Sequence, residues 1–196
     1  MVNTPSLQTE RLLLRRYTAN DLEAFFRIGS DEEVNTFLPW FPFQSTKEAE
    51  EQLHNKYLKS YENSMGFRYA ICLKTDNIPI GYVSLADNGS FDFGYGLRKE
   101  FWHKGIVTEA CRAVLKRIKE AGIPYITATH DINNPRSGEV MKKIGMSYCY
   151  SFEELWKPKN ILVTFRMYQL NLGEPNAPVY QKYWDAHPIH FVETGV

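Results

Sequence analysis

Gly94-Tyr95-Gly96-Leu97-Arg98-Lys99-Glu100-Phe101-Trp102-His103-Lys104-Gly105-Ile106-Val107-Thr108-Glu109-Ala110 is the stretch in which the chain changes its period. Up to Leu97 it reads as a strand beginning at Phe91. From Gly105 it reads as a helix to about Ala121, with Ala110, Val114 and Ile118 at helical spacing, Gly122 just past the end and Pro124 beyond. The first amides of a helix lack acceptors within it and carry partial positive charge. A strand–turn–helix of this kind therefore holds a phosphate with little help from side chains. Gly105 permits close approach of the backbone, and Lys104 adds a donor. The segment is not a Walker loop, since no Gly-Lys-Ser/Thr closes it, and Lys99 interrupts any Gly-x-Gly-x-x-Gly pattern. On spacing alone an ordinary strand–loop–helix junction remains an equal reading.

Working outward, Leu12–Leu14 between Arg11 and Arg15-Arg16 reads as a short strand. Thr18 and Asp21 form a capping box for a helix with Leu22, Phe25, Phe26 and Ile28 on its apolar side, ended by Gly29. Phe37–Phe43 is an aromatic loop pinned by Pro39 and Pro42. Ser45 and Glu48 box the start of a helix through about Tyr61. Phe67–Lys74 and Ile80–Leu85 form a hairpin about Asp76-Asn77. Beyond the central helix, Tyr125–His130 is a strand, and Asn134 caps a helix with Pro135 at its first position and Gly145 at its end. Tyr148–Leu155 and Ile161–Leu170 read as a final hairpin. The order β-α-α-β-β-β-α-β-α-β-β predicts an α/β (α+β) chain with a mixed sheet. Residues 172–196, with Tyr180, Tyr183, Trp184 and Phe191 among three prolines, are too apolar for a free linker. They are expected to form an irregular tail packed on the domain or at an interface, such as that of a homodimer.

Composition narrows the function. Of 196 residues, 43% are apolar, enough for a core, and 23 basic against 23 acidic residues give no net charge. A nucleic-acid partner, which asks for a basic face, is not expected. Cys72, Cys111 and Cys149 show no CxxC spacing, and the five histidines show no HExxH, so neither a disulfide framework nor a metal site is expected. No apolar run approaches bilayer length and the N-terminal residues lack a signal-peptide core, so the expectation is no membrane and a cytoplasmic location.

Trp102-His103-Lys104-Gly105-Ile106-Val107-Thr108-Glu109-Ala110 resembles motif A of the GNAT superfamily of acetyl-CoA-dependent N-acetyltransferases. It is most similar to the branch containing ribosomal-protein alanine and serine N-acetyltransferases. Thr9-Glu10-Arg11-Leu12-x-Leu14-Arg15, Asp21, Asn134-Pro135-Arg136-Ser137 and Val140-Met141-Lys142-Lys143-x-Gly145-Met146 match the same branch in the same order, so the similarity spans residues 7–171. The resemblance implies a mixed, mostly antiparallel sheet flanked by helices with splayed central strands. It implies acetyl-CoA as cosubstrate without a metal, and a primary amine as acceptor, either a peptide N-terminus or a small molecule. It also allows a sensor that keeps the fold and binds CoA without turnover. Three positions depart from the pattern: His103 stands for a usual glycine, Val107 for a usual small residue, and Met141 for a tyrosine that protonates the leaving thiolate in the wider superfamily.

Carried onto this chain, the family pattern puts the backbone near Leu97 on the pantetheine arm. The amides of His103, Lys104, Gly105, Ile106, Val107 and Thr108, beside Trp102, fall on the diphosphate, with Asn134 as cap and cofactor contact. Ser137 is the candidate acid or thiolate hydrogen-bond donor, and a helix-start serine bonding its own backbone is the plainer alternative. Asp92, His130, Glu153 and Glu154 are the candidate bases, each with a structural alternative. Trp40, Phe41 and Phe43 are expected either to wall the acceptor site or to cap the core.

Overall fold

Leu12 and Leu14 are fully buried and the residues between and after them are not, which is the period-two pattern that makes this segment a strand. In the computed structural model, which describes residues 4–63 and 66–196, that strand is β2 (Leu12–Arg15), preceded by a two-residue β1 (Leu7–Gln8). Helices α1 (Leu22–Ser30), α2 (Thr46–Gln52) and α3 (Ser60–Asn63) follow, then β3 (Phe67–Leu73), β4 (Pro79–Leu85) and β5 (Phe93–Leu97). Next come α4 (Ile106–Glu120), β6 (Tyr125–Asp131), α5 (Pro135–Lys143), β7 (Ser147–Trp156), β8 (Ile161–Asn171), α6 (Lys182–Ala186) and β9 (His190–Phe191).

Two antiparallel sheets result, ordered β1-β2-β3-β4-β5 and β6-β8-β7-β9. Among the described residues they meet at a single parallel bridge, Asp92 with Thr127, where the Thr127 amide donates to the Phe91 carbonyl at 3.2 Å and its hydroxyl to the Ser90 carbonyl at 2.9 Å. Past that bridge β5 and β6 share no ladder among the described residues, so the two sheets part like a V. One core lies between the first sheet and α4 and α5, around Ile71, Val83, Val114 and Ile118. A second lies on the opposite face, where Tyr17, Phe25 and Tyr57 pack edge to face beneath α1 and α2.

The cap at Ser45 forms as expected, its hydroxyl accepting from the Glu48 amide at 3.3 Å, and Asn134 accepts from the Ser137 amide. The box at Thr18 and Asp21 is present, but it opens a short 3-10 turn ahead of α1. The helix expected through Tyr61 is broken. Residues Leu53–Leu58 widen into a π-helical turn, and that shift keeps Leu53 and Tyr57 both buried. The tail is more regular than expected, because α6 and β9 form within it and β9 extends the second sheet against β7.

Candidate active site

The turn before α4 is held in an unusual backbone conformation. His103 has φ of 60° and Gly105 of 72°. Alternating left- and right-handed residues turn successive amides the same way and make an anion-binding concavity. Gly105 supplies the N-cap position with no side chain to occupy the first amides of α4. His103, Lys104 and Gly105 are exposed, whereas Ile106 is buried and anchors the helix. The Val107 side chain packs against the core, leaving its amide in the first turn. Lys104 donates through Nζ to the Glu100 carbonyl at 2.8 Å.

Sequence reasoning did not assign a role to Arg11, although it lies in one of the matched motifs. Its guanidinium donates to the Lys104 carbonyl at 2.9 Å and pairs with Glu109 at 2.6 Å, and it lies 3.7 Å from where a side chain on Gly105 would begin. Thr9 donates to the same Glu109 carboxylate, and burial is outweighed there by these donors, which hold Glu109 below its ordinary value. The N-terminal hairpin thus fixes the turn and brings a positive charge beside it.

The open edge of β5 leads away from this turn. The Arg98 amide donates to the Ile80 carbonyl and the Ala86 amide donates to the Asp92 carbonyl, so the even-numbered residues along and flanking β5 bond to β4. By alternation the amides and carbonyls of Phe93, Tyr95 and Leu97 face the gap between β5 and β6. The Leu97 carbonyl accepts from the Trp102 indole at 2.7 Å, and Arg136 of α5 lies 5.6 Å above the Trp102 ring. Across the gap, the Tyr95 hydroxyl lies 2.8 Å from the Ser137 carbonyl and 3.1 Å from its hydroxyl. Ser137 therefore sits beside the gap, one turn into α5.

The four candidate bases separate. Asp92 is half-buried where the sheets part, and burial pushes its carboxyl up to about 6. Gly94, next on the same face, has only the Ser84 hydroxyl, 3.3 Å away, within reach of a side chain built there. His130 faces α5, buried, with Nδ1 bonded to the Asp131 carbonyl and Nε2 unpaired; burial lowers its pKa. Glu154 stands 3.9 Å from His187 of the tail, and Glu153 lies on the opposite face of β7, its amide bonded to the Ile189 carbonyl.

The aromatic loop divides too. Phe43 is wedged over Gly29 and tilted on Phe25 at 5.7 Å, as part of the core cover. Trp40 carries Lys56 on its face at 4.4 Å. Phe41 lines an open recess of about 730 Å³ with Glu32, Asn35, Glu48 and Lys159.

Against known proteins, residues 11–147 match the model of the acetyltransferase (GNAT) domain. The chain belongs to the GNAT acetyltransferases. It is 28% identical over 144 residues to the uncharacterized N-acetyltransferase YnaD of Bacillus subtilis, covering 71% of this chain and 81% of that one. A GNAT-family acetyltransferase structure from Bacillus anthracis superposes with a TM-score of 0.76 at 25% identity, covering 87% of this chain and all of the other. RimL, a ribosomal L7/L12 α-N-protein acetyltransferase in complex with coenzyme A, shares the fold with a TM-score of 0.76 at 16% identity over 85% of this chain and 98% of its own. The chain is thus an acetyl-CoA-dependent N-acetyltransferase, and its fold is that of these relatives. Among the described residues no helix is long and apolar enough to cross a membrane.

Proposed function

We propose that this GNAT enzyme acetylates the terminal amine of a peptide or protein, with Asp92 as base and Ser137 as hydrogen-bond donor to the leaving sulfur. The observation that supports the reading is the V between β5 and β6: it has a carboxyl raised to about 6 at its apex, a hydroxyl on its flank and a glycine-capped helix start at its open end. The main-chain groups of Tyr95 and Leu97 line the arm of the thioester, and the amides from His103 to Thr108 take the diphosphate. The amine nitrogen bonds to the acetyl carbon as the carbon–sulfur bond breaks onto sulfur. Asp92 accepts the nitrogen's proton and Ser137 hydrogen-bonds the sulfur, whose thiolate then takes a proton from solvent. The recess beside Phe41, acidic at Glu32 and Glu48, suits a chain that carries a positive amine.

The test is thiol release from acetyl-CoA across N-terminal peptides and small amines. Turnover with peptides at a kcat/KM well above that of the small amines supports this acceptor. Preference for a small amine would replace it while leaving the transfer itself intact.

A further inference from the structure

Tyr95 was not singled out by its sequence, yet its hydroxyl reaches across the gap to α5. On β5 it shares a face with Phe93 and Leu97 and is partly buried against the main core. The residues on either side of it are Gly94 and Gly96. A phenol in such surroundings needs a partner. Both partners here belong to one residue, Ser137: its carbonyl at 2.8 Å and its hydroxyl at 3.1 Å. A carbonyl only accepts, so the phenolic proton goes to it. The serine hydroxyl is then the donor in the second contact, and its proton rests on the Tyr95 oxygen.

We infer that Tyr95 is a positioning residue for acetyl transfer, holding the Ser137 hydroxyl at the edge of the gap and exchanging hydrogen-bond direction with it as charge builds on sulfur. The inference rests on the reading of Ser137 above. In the unliganded protein Ser137 donates to Tyr95. When a thiolate forms in the gap, Ser137 turns its proton to the sulfur, and the Tyr95 hydroxyl supplies a donor to the serine oxygen in its place. No bond to carbon is made or broken by Tyr95, and no proton is lost from it. Burial raises the Tyr95 phenol above its ordinary value, so it remains a donor through the physiological range. A tether for α5 alone would need only the carbonyl contact. The second contact fixes the serine rotamer.

Tyr95→Phe keeps the ring and removes the oxygen. The first measurement is steady-state thiol release, in which kcat is expected to fall about tenfold with KM for acetyl-CoA within about twofold. In a Ser137→Ala background the same substitution is expected to have no further effect on kcat. The second measurement needs no acceptor: calorimetric affinity for CoA against desulfo-CoA at pH 9, where the preference of the wild type for the thiolate is expected to shrink in Tyr95→Phe. Equal kcat and equal preference in Tyr95→Phe and wild type overturn the inference alone, as does a loss that is undiminished without Ser137. A wild type that binds no CoA overturns the site reading and this inference with it. Thermal unfolding of Tyr95→Phe within a few degrees of wild type separates positioning from damage to the fold.

Discussion

At Gly138 the first turn of α5 passes directly over the His130 ring. A Cβ placed there would lie 2.6 Å from His130 Nε2, and the imidazole, buried beneath the helix, has nowhere to retreat. Gly138→Ala is therefore expected to destabilise the protein by about 1–3 kcal/mol, the usual cost of overpacking, and a lower midpoint in thermal unfolding checks it. The same crowding keeps His130 beneath α5, and the base proposed here is Asp92. The sign of its pH effect follows directly. Burial raises the carboxyl to about 6, so below that pH it is protonated and cannot accept from the amine, and above it the base is available. Thiol release should rise with pH to a plateau through a midpoint near 6. Asp92→Asn should lower the plateau and erase that limb. A retained limb of unchanged height would show the base to be elsewhere.

The helix α4 owes its useful end to another element. Arg11 and Thr9 of the N-terminal hairpin grip Glu109 and the Lys104 carbonyl, so the turn is held from outside the strand–turn–helix unit. Arg11→Ala removes both the brace and a charge beside the turn at residues 103–108. It is expected to weaken CoA binding about tenfold, as for a charge-assisted hydrogen bond, with little change in unfolding midpoint, since the side chain is 44% exposed. Calorimetric titration with CoA reads the first and thermal unfolding the second. Local chemistry made the elements around this site legible: Gly105 as helix start, Asn134 with Pro135 as cap, Gly122 and Gly145 at left-handed ends. What escaped were features with no local signature. Strand β1 is two residues long, and the π-helical turn at Leu53–Leu58 carries helical spacing on either side. The Tyr95–Ser137 contact joins residues 42 apart, and the role of Arg11 depends on a partner 98 away.

For the whole molecule, the residues after β8 matter most. They cross the second sheet and finish as its edge strand. Tyr183 stacks on Phe152 at 5.5 Å, Trp184 meets Tyr150 edge to face, and the Tyr150 hydroxyl donates to the Tyr180 carbonyl at 2.6 Å. Gln169, only 5% exposed, clasps this segment by accepting from the Tyr180 amide and donating to the Pro178 carbonyl. Gln169→Ala leaves both groups unpaired and is expected to cost about 1–3 kcal/mol. It should also expose the tail to limited proteolysis near Tyr180, whereas an uncut tail and an unchanged midpoint would show that the aromatic contacts suffice. The aromatic richness of residues 172–196 announced packing. Its regular structure was hidden because β9 is short and takes its pairing from β7 rather than from its own period.

A crystal structure with bound acetyl-CoA tests the turn at residues 103–108 most directly. Diphosphate oxygens are expected on the main-chain amides of that turn, with Arg11 alongside and the acyl arm lying between β5 and β6. A diphosphate held by side chains elsewhere, with the turn untouched, would contradict it.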